Sequence, residues 1–301
     1  MTKLPVSRAG QKLPVSRAGQ KLPVSRAGQK LPVSRAGQKL PVSPAGQKLP
    51  VSLAGKNLLS RENESVLAAL AWARVLLAFD FDGTLAPIVA DRDDAQMRPE
   101  SAKLFEQVCA LYPCAVISGR GRADVEARLG NAKVRYVVGN HGLEPGGSMP
   151  EFEEEIVATR ALLEVALKGV QGIDLEDKRY SLAIHYRRAR TKRASRDAIL
   201  AAVKALPTSM RVVPGKLVIN IVPARAPNKG DALLELRQLE RADVAFYVGD
   251  DVTDEDVFRL DQPGRLITLR IGESRTSSAA YFLRSQRDID RLLTRLAALR
   301  A

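Results

Sequence analysis

Two aspartates, Asp80 and Asp82, directly follow a strongly apolar segment of the chain, residues 75–79. An uninterrupted apolar run of this length is typical of a strand buried on both faces of a parallel sheet. Gly83 then allows the chain to turn sharply. Because carboxylates crowded at one strand end repel each other, they favour a cation between them, and Mg²⁺ prefers such oxygen ligands. An acidic surface turn is the simpler alternative for this pattern.

A second acidic group follows another apolar run, residues 245–248. It consists of Asp250, Asp251 and Asp254. The segment lacks the glycine spacing of an EF-hand loop, and a solvated acidic loop is the alternative interpretation. Because ligands of parallel sheets bind beyond the carboxyl ends of the strands, both acidic groups can converge on one cation. The two groups together therefore predict a metal centre.

Two further polar signals favour a bound phosphate. Ser118 ends the apolar run 115–117, next to Gly119 and Arg120. Its hydroxyl and the neighbouring N–H groups are suited to a phosphate oxygen. Lys229 lies at the start of a predicted helix, where a cation opposes the helix dipole, so the pattern predicts an anionic partner for it. A plain turn and a solvated lysine are the alternatives.

Strands alternate with helices along most of the chain after residue 57, which predicts a parallel α/β sheet. The predicted strands are 75–79, 114–117, 136–138 and 245–248. The predicted helices are 62–71, one that begins at Pro99, 122–129, about 229–240, and a C-terminal amphipathic helix over 289–299 with Ser285 and Asp288 as its capping box.

Residues 146–223 interrupt this alternation, starting at a stretch rich in glycine and proline. The pattern predicts helices over 151–168 and near 192–206, and a strand over 180–186 with one buried face. It also predicts a hairpin over 211–221 that turns at Pro214 and Gly215. This segment is therefore predicted to be a second, smaller α/β unit inserted into the first.

The basic character of the chain resides in its N-terminal segment. The net charge of the 301 residues is +13, but residues 1–56 contain eleven basic residues and no acidic one, so the rest carries only +2. Residues 2–55 are six copies of a nine-residue unit with a proline in each, which predicts a disordered tail. The tail either binds a polyanion or has no role. The nearly neutral remainder argues against a nucleic-acid-binding fold.

The cysteine and hydropathy patterns predict a cytoplasmic protein. Cys109 and Cys114 match no structural zinc spacing, and so few cysteines suit a reducing compartment. The sequence contains no apolar run of about 18 residues, so no membrane span is predicted. The N-terminus lacks the apolar region of a signal peptide.

The motifs together resemble those of the haloacid dehalogenase superfamily of phosphatases and, within it, of the trehalose-6-phosphate phosphatase family. The matching segments are LLAFDFDGTLAPI (76–88), VISGR (116–120), GNHGLE (139–144), EDKRYSLAIHYR (176–187), VPGKLVINIVP (213–223), NKGDAL (228–233) and YVGDDVTDEDVF (247–258). The resemblance implies a Rossmann-like parallel-sheet core over 57–145 and 224–301, a smaller inserted α/β cap over 146–223, and a disordered tail over 1–56.

The resemblance also implies roles for the acidic residues. Asp80 would attack phosphorus and form an aspartyl-phosphate. Asp82 would protonate the leaving sugar and then activate water. Mg²⁺ would be held by the Asp80 side chain, the Asp82 carbonyl and Asp250, with Asp254 acting indirectly.

Two further sets of contacts follow from the resemblance. Ser118 and Lys229 would neutralise the phosphoryl oxygens. The sugar would be bound by polar residues of both units, namely Arg120, His141, Glu144, Lys178, His185, Arg187, Lys216 and Asn220. The chain departs from the family at one place, because Asn220 and Val222 stand where the family commonly has a glutamate and a basic residue.

The predicted function is Mg²⁺-dependent hydrolysis of trehalose 6-phosphate in trehalose biosynthesis, with a sugar phosphate as the partner molecule. No nucleic acid is expected on the folded part. Two alternatives stay open. One is a phosphatase of the same superfamily that acts on another sugar phosphate, such as a glycosyl-glycerate phosphate. The other is a non-catalytic regulatory or binding protein that uses the basic tail.

Overall fold

A computed structural model of the chain describes residues 55–89, 91–144, 149–207 and 210–301. The predicted tail therefore lies almost entirely outside the described residues, as does most of the glycine- and proline-rich stretch that begins at 145. Within the described ranges, no helix is both long and apolar enough to cross a membrane.

The larger of two sheets has seven strands, and all of its neighbouring strands are parallel. In spatial order the strands are β1 (Lys56–Asn57), β11 (Tyr281–Leu283), β10 (Leu266–Ile271), β9 (Val244–Gly249), β2 (Val75–Phe79), β3 (Cys114–Ile117) and β4 (Tyr136–Val138). The helices outside the inserted segment are α1 (Glu64–Trp72), α2 (Pro99–Leu111), α3 (Arg122–Arg128), α6 (Lys229–Leu239), α7 (Glu255–Phe258) and α8 (Asp288–Ala298).

Strand β2 is buried on both faces, as its unbroken apolar run predicted. Leu77 and Phe79 pack into one hydrophobic cluster with residues of α2 and α8. Leu76 and Ala78 pack into a second cluster with Leu233 of α6. Because successive side chains of a strand point to opposite faces, helices cover both sides of the sheet. The predicted parallel α/β fold is therefore confirmed.

The inserted segment forms a second, antiparallel sheet of four strands. Their spatial order is β5 (Asp174–Asp177), β6 (Leu182–His185), β8 (Val218–Pro223) and β7 (Met210–Gly215). Its helices are α4 (Pro150–Ala166) and α5 (Lys192–Lys204), which share a hydrophobic cluster with the strands. We call this unit the cap and the remainder the core. The residue boundaries predicted for the tail, core and cap remain predictions.

The hairpin of the cap turns later than predicted. Pro214 and Gly215 belong to β7, where Gly215 pairs with Val218, so the turn consists of Lys216 and Leu217. Leu217 takes the left-handed conformation that a tight two-residue turn requires, at φ 61°. The proline–glycine pair was the stronger sequence signal, but pairing with β8 continues to Gly215 and decides the position of the turn.

Candidate active site

The site lies where three neighbouring strands of the core sheet end. Asp80 follows β2, Ser118 follows β3 and Asp250 follows β9. Because β2 lies between β9 and β3, Asp80 is central, with Asp250 on one side and Ser118 on the other. This placement is the one that the sequence predicted for the two acidic groups.

The two acidic groups converge. Asp80, Asp250 and Asp254 each offer a carboxylate oxygen, and these oxygens all lie within 4.8 Å of one another. The Lys229 ammonium lies among them, with Nζ 3.1 Å from Asp80 Oδ2 and 2.8 Å from Asp254 Oδ1. Lys229 is the first residue of α6 and is buried, so it has the anionic partners that its unfavourable position in the helix dipole predicted.

Asp254 is fully engaged by the protein. Its Oδ1 accepts hydrogen bonds from Lys229 Nζ at 2.8 Å and from the Tyr247 hydroxyl at 2.7 Å. Its Oδ2 accepts the backbone N–H groups of Asp250 and Asp251, at 2.8 and 2.9 Å. Asp254 therefore fixes the loop that carries Asp250 and orients Lys229, which suits an indirect role at a metal centre.

The acidic cluster has too little positive charge of its own. Burial raises the pKa of Asp80 well above its usual range, because Lys229 only partly offsets the loss of water and the charges of neighbouring aspartates. Burial, together with Asp254 and Asp251, raises the pKa of Asp250 to about 7. Three carboxylates share one ammonium, so a cation among them would relieve both effects.

The residues fit a hard divalent cation. All three groups are carboxylates, the ligand type that Mg²⁺ prefers. Gly83 leaves the approach to Asp250 open, because a Cβ at that position would lie 2.1 Å from Asp250 Oδ2. The Asp82 carboxylate is not part of the cluster, and its predicted contribution through the main-chain carbonyl remains a prediction.

Asp82 instead forms a bidentate ion pair with Arg120. Arg120 Nε and Nη2 donate to the two Asp82 oxygens at 2.6 and 2.8 Å. The same guanidinium donates to Asp124 Oδ2 at 2.8 Å and to the Arg92 carbonyl at 2.7 Å. Arg120 lines the cleft described below, but its guanidinium is already occupied by protein acceptors.

The turn after β3 is packed against His141. Ser118 is completely buried, its hydroxyl accepts the Arg120 N–H at 3.2 Å, and its carbonyl accepts the His141 N–H at 2.9 Å. A Cβ on Gly119 would lie 2.4 Å from His141 Cε1, so only glycine fits beneath the imidazole ring. Ser118 thus lies beside the cleft rather than in its lining, and its predicted phosphate contact remains a prediction.

The imidazole of His141 is held neutral without a partner. Burial and the nearby Lys178 and Lys229 ammonium groups lower its pKa well below the usual range. Neither ring nitrogen makes a hydrogen bond within the described part of the chain, although the Asn220 side chain lies close enough to offset the shift in part. A buried polar group without a partner is costly, so His141 is available to bind a ligand.

A cleft of about 710 Å³ opens between these residues and the cap. It contains most of the residues that the sequence predicted. Those in its lining are Asp80, Asp82, Arg120, His141, Glu144, Lys178, Arg187, Lys216, Asn220, Lys229 and Asp250. Ser118, His185 and Asp254 lie behind it. The cleft therefore joins the acidic cluster to polar groups of the cap.

Lys178 reaches from the cap to the core. Its Nζ donates to the Gly119 carbonyl at 3.0 Å and to Asn220 Oδ1 at 3.4 Å. Burial and the Arg92 and Arg120 guanidinium groups lower the pKa of Lys178 to about 8. Its ammonium forms no ion pair with a carboxylate in the described ranges, so it is suited to an anionic or hydroxyl group of a ligand.

Two predicted residues act inside the protein. His185 lies 2.9 Å from Glu176 Oε2, and burial with Arg92 and Lys178 lowers the pKa of His185 to about 4. Glu144 Oε2 accepts the Arg122 N–H and Asn140 Nδ2, both at 2.8 Å, and so holds the turn that follows β4.

The polar groups of the site that the sequence did not predict include Arg92, Glu176 and Tyr247. Glu176 lies two residues before Lys178, and this alternation could have placed both on one face of the cap strand. Tyr247 within β9 reads as an ordinary core residue, and Arg92 lies in a short acidic turn. Nothing in the sequence marks Tyr247 or Arg92 as a residue of the site.

Comparison with known proteins identifies the family. The sequence profile of the trehalose-phosphatase family matches residues 78–286, which include every loop described above. The chain belongs to the trehalose-phosphatase family. It is 34% identical over 242 residues to the trehalose-phosphate phosphatase of Mycobacterium ulcerans, a match that covers 75% of this chain and 62% of that protein. The Mycobacterium tuberculosis protein of the same name is also 34% identical, over 236 residues, covering 73% and 60%.

Solved structures support the fold of this trehalose-phosphatase family member. The C-terminal domain of Candida albicans trehalose-6-phosphate phosphatase superposes with a TM-score of 0.66 at 22% identity, covering 82% of this chain and 99% of that one. This likeness confirms the haloacid dehalogenase-type fold. The matches to the mycobacterial proteins span about three fifths of the length of those relatives.

Of the two residues that the sequence set apart, Asn220 and Val222, one lies in the cleft. Asn220 is in the lining and its Nδ2 donates to the Val213 carbonyl at 3.3 Å. Val222 is completely buried and belongs to the cap strand rather than to the cleft. Asn220 therefore presents an amide to the cleft, and Lys178 has no carboxylate partner there among the described residues.

Proposed function

We propose that this member of the trehalose-phosphatase family hydrolyses trehalose 6-phosphate to trehalose and phosphate, with Mg²⁺ and through an aspartyl-phosphate on Asp80. The observation that carries the proposal is the buried cluster of Asp80, Asp250, Asp254 and Lys229 at the floor of a cleft with polar walls. We expect the protein to act in the cytoplasm, where sugar phosphates are made and consumed.

The reaction proceeds in two steps. Asp80 Oδ attacks phosphorus, an Asp80–phosphorus bond forms, and the bond from phosphorus to the sugar oxygen breaks while Asp82 gives that oxygen a proton. Water then attacks the phosphoryl group, Asp82 takes a proton from it, and Asp80 is released as phosphate leaves. One water is consumed for each ester bond broken.

We expect two parts of the chain to stabilise the phosphoryl oxygens. The Lys229 ammonium is held beside Asp80 by Asp254, and the turn at Ser118 provides a hydroxyl and N–H groups. Mg²⁺ would be held by Asp80 and Asp250, with the Asp82 carbonyl, and would add positive charge where the phosphoryl group binds. Such groups fixed in place act without reorganisation during the reaction.

The sugar is recognised between core and cap. The neutral His141 imidazole is able to donate or accept one hydrogen bond to a hydroxyl. Arg187, Lys216 and Asn220 of the cap also line the cleft, and Lys178 spans the two units. His185 lies outside the lining and contacts Glu176, whereas Glu144 lines the cleft and also holds the turn that follows β4.

One observation favours a second candidate, a phosphatase for a sugar phosphate that also bears a carboxylate, such as a glycosyl-glycerate phosphate. Asn220 leaves the Lys178 ammonium without a carboxylate partner in the described part of the cleft. A carboxylate on the substrate would supply that charge. The same core chemistry would serve both substrates.

A panel of sugar phosphates distinguishes the two candidates. With Mg²⁺ present, we expect kcat/KM for trehalose 6-phosphate to exceed that for glucose 6-phosphate and for a glycosyl-glycerate phosphate by about tenfold or more, a margin of about 1.4 kcal/mol. Removing the metal with a chelator should abolish phosphate release, and adding Mg²⁺ should restore it. Colorimetric detection of released phosphate measures both effects.

Faster turnover of the carboxylated ester would replace the first candidate by the second. Full activity after chelation would refute the metal requirement. Absence of turnover on every ester would favour a non-catalytic protein. A control without enzyme at each Mg²⁺ concentration corrects for spontaneous hydrolysis.

A further inference from the structure

Two side chains of the cap contact core residues that neighbour Arg120. The Glu176 carboxylate of β5 forms an ion pair with the Arg92 guanidinium. Lys178, two residues later, donates from Nζ to the Gly119 carbonyl at 3.0 Å. Because alternate residues of an extended segment share one face, Glu176 and Lys178 reach the core together.

The residues that alternate with Glu176 and Lys178 contact helix α4 of the cap instead. Asp177 pairs with Arg160 of α4, with Arg160 Nη1 3.2 Å from its Oδ2. Arg179 pairs with Glu153, also of α4, at 3.0 Å. The alternation therefore separates contacts that hold the cap together from contacts that dock it on the core, which Ser181 of the cap also supports by donating to Asn140 Oδ1 at 2.7 Å.

Arg92 joins the cap to Arg120. Its side chain binds Glu176, while its backbone carbonyl accepts a hydrogen bond from Arg120 Nη2 at 2.7 Å. The other hydrogen of Nη2 and that of Nε are donated to Asp82. The direction of the Arg120 guanidinium, and so the plane of the Asp82 carboxylate, depends on where the Arg92 carbonyl lies.

The segment that carries Arg92 is tied to the core helix α3. Arg128 Nη1 donates to the Asp93 carbonyl at 2.9 Å and to the Ala95 carbonyl at 2.8 Å. Asp124 accepts from both Arg120 and Arg128, each at 2.8 Å. Because these hydrogen bonds hold the segment in place, a displacement of the Arg92 side chain changes the position of Arg120.

We propose that Arg92 is a positioning residue that couples the docked cap to Asp82 through Arg120. The inference rests on the proposed function, in which Asp82 handles the proton of the leaving group. When the cap is seated, Glu176 fixes Arg92, Arg92 fixes Arg120, and Arg120 sets the position from which Asp82 acts. A proton donor must lie within hydrogen-bond reach of the leaving oxygen, so a displaced Asp82 slows the chemical step itself.

A double-mutant cycle tests the coupling. The variants are Arg92→Ala, Glu176→Gln and the combination of both, assayed for kcat and KM with trehalose 6-phosphate and with 4-nitrophenyl phosphate. Positioning of a proton donor predicts that each single variant loses about tenfold in kcat on the sugar ester. The double variant should lose no more than about twofold beyond either single one, because both substitutions break the same contact.

The aryl ester separates positioning from general damage. Its leaving group is an acidic phenol that needs little protonation, so the rate of 4-nitrophenolate release in a single turnover, which reports the first step alone, should stay within about twofold of the wild type. Arg74→Ala is the matched control, since Arg74 pairs with the exposed Asp243 and does not line the cleft. Its kcat on both esters should equal that of the wild type.

Four outcomes would overturn the inference: equal losses on both esters in the first step, measured in a single turnover, a change confined to KM, additive losses in the double variant, or wild-type kcat in Arg92→Ala. A wild type that rejects trehalose 6-phosphate but hydrolyses another sugar ester would refute the proposed function alone. The cycle would then be measured with that ester, and its result would still decide the role of Arg92.

Discussion

Substituting Asp80 by asparagine should lower kcat by about 10⁴-fold or more while the chain still folds. An amide of the same shape cannot attack phosphorus, and loss of a nucleophile removes the covalent route as a whole. The fold should survive because burial raises the pKa of Asp80, so that ionising this group at neutral pH opposes folding. Lys229 also keeps Asp254 as a partner at 2.8 Å.

Phosphate release at saturating substrate measures the loss, and far-UV circular dichroism with thermal unfolding checks the fold. The matched control is Asp243→Asn, the same chemical change at an exposed residue paired with Arg74. If purified Asp80→Asn retained more than about one per cent of wild-type turnover, a different group would have to be the nucleophile.

Replacing Lys229 by methionine should damage both stability and turnover. Burial lowers the pKa of this lysine, but Asp254 and Asp80 outweigh it and raise the pKa above the usual value. The ion pairs therefore stabilise the fold at every pH below the ordinary lysine pKa, which includes neutral pH. Removing one partner of a buried pair leaves uncompensated charge, and we expect a loss of about 3–5 kcal/mol in the free energy of unfolding.

Urea unfolding at neutral pH, with and without Mg²⁺, measures this loss. Added Mg²⁺ should recover part of it, because the ion supplies the positive charge that Lys229 no longer provides. Turnover should fall by about 10²–10³-fold even with Mg²⁺ present, since a fixed charge beside the phosphoryl group is missing. The matched control is Lys168→Met at an exposed lysine. A loss below about 1 kcal/mol would contradict the buried pairing.

The strands at the centre of the core could be predicted because their sequences admit few other structures. Strand β2 is an unbroken apolar run, and both of its faces are covered by helices. The strands β10 and β11, towards one edge of the core sheet, were not predicted. Strand β10 contains the polar residues Thr268 and Arg270, and β11 is only three residues long, so neither has a run that separates a strand from a loop. Their places depend on the parallel pairing of β10 with β9 and of β11 with β10, which periodicity does not reveal.

The acidic cluster could be predicted for a similar reason, since strand ends on one edge of a sheet must meet. The partners of its members could not. Asp82 lies two residues from Asp80, yet it pairs with Arg120 instead of joining the cluster. That choice depends on the direction of the Arg120 side chain, which is set by the Arg92 carbonyl and Asp124. Contacts between segments distant in sequence leave no periodic signal.

Identification of the phosphorylated residue tests the central claim most directly. Asp82→Asn should react with 4-nitrophenyl phosphate, because the first step then needs no acid, and should stall before hydrolysis for want of a base. After acid quenching and proteolysis, mass spectrometry should find one phosphoryl group on Asp80. Phosphoryl transfer to another residue, or full turnover by this variant with no phosphorylated peptide, would contradict the account.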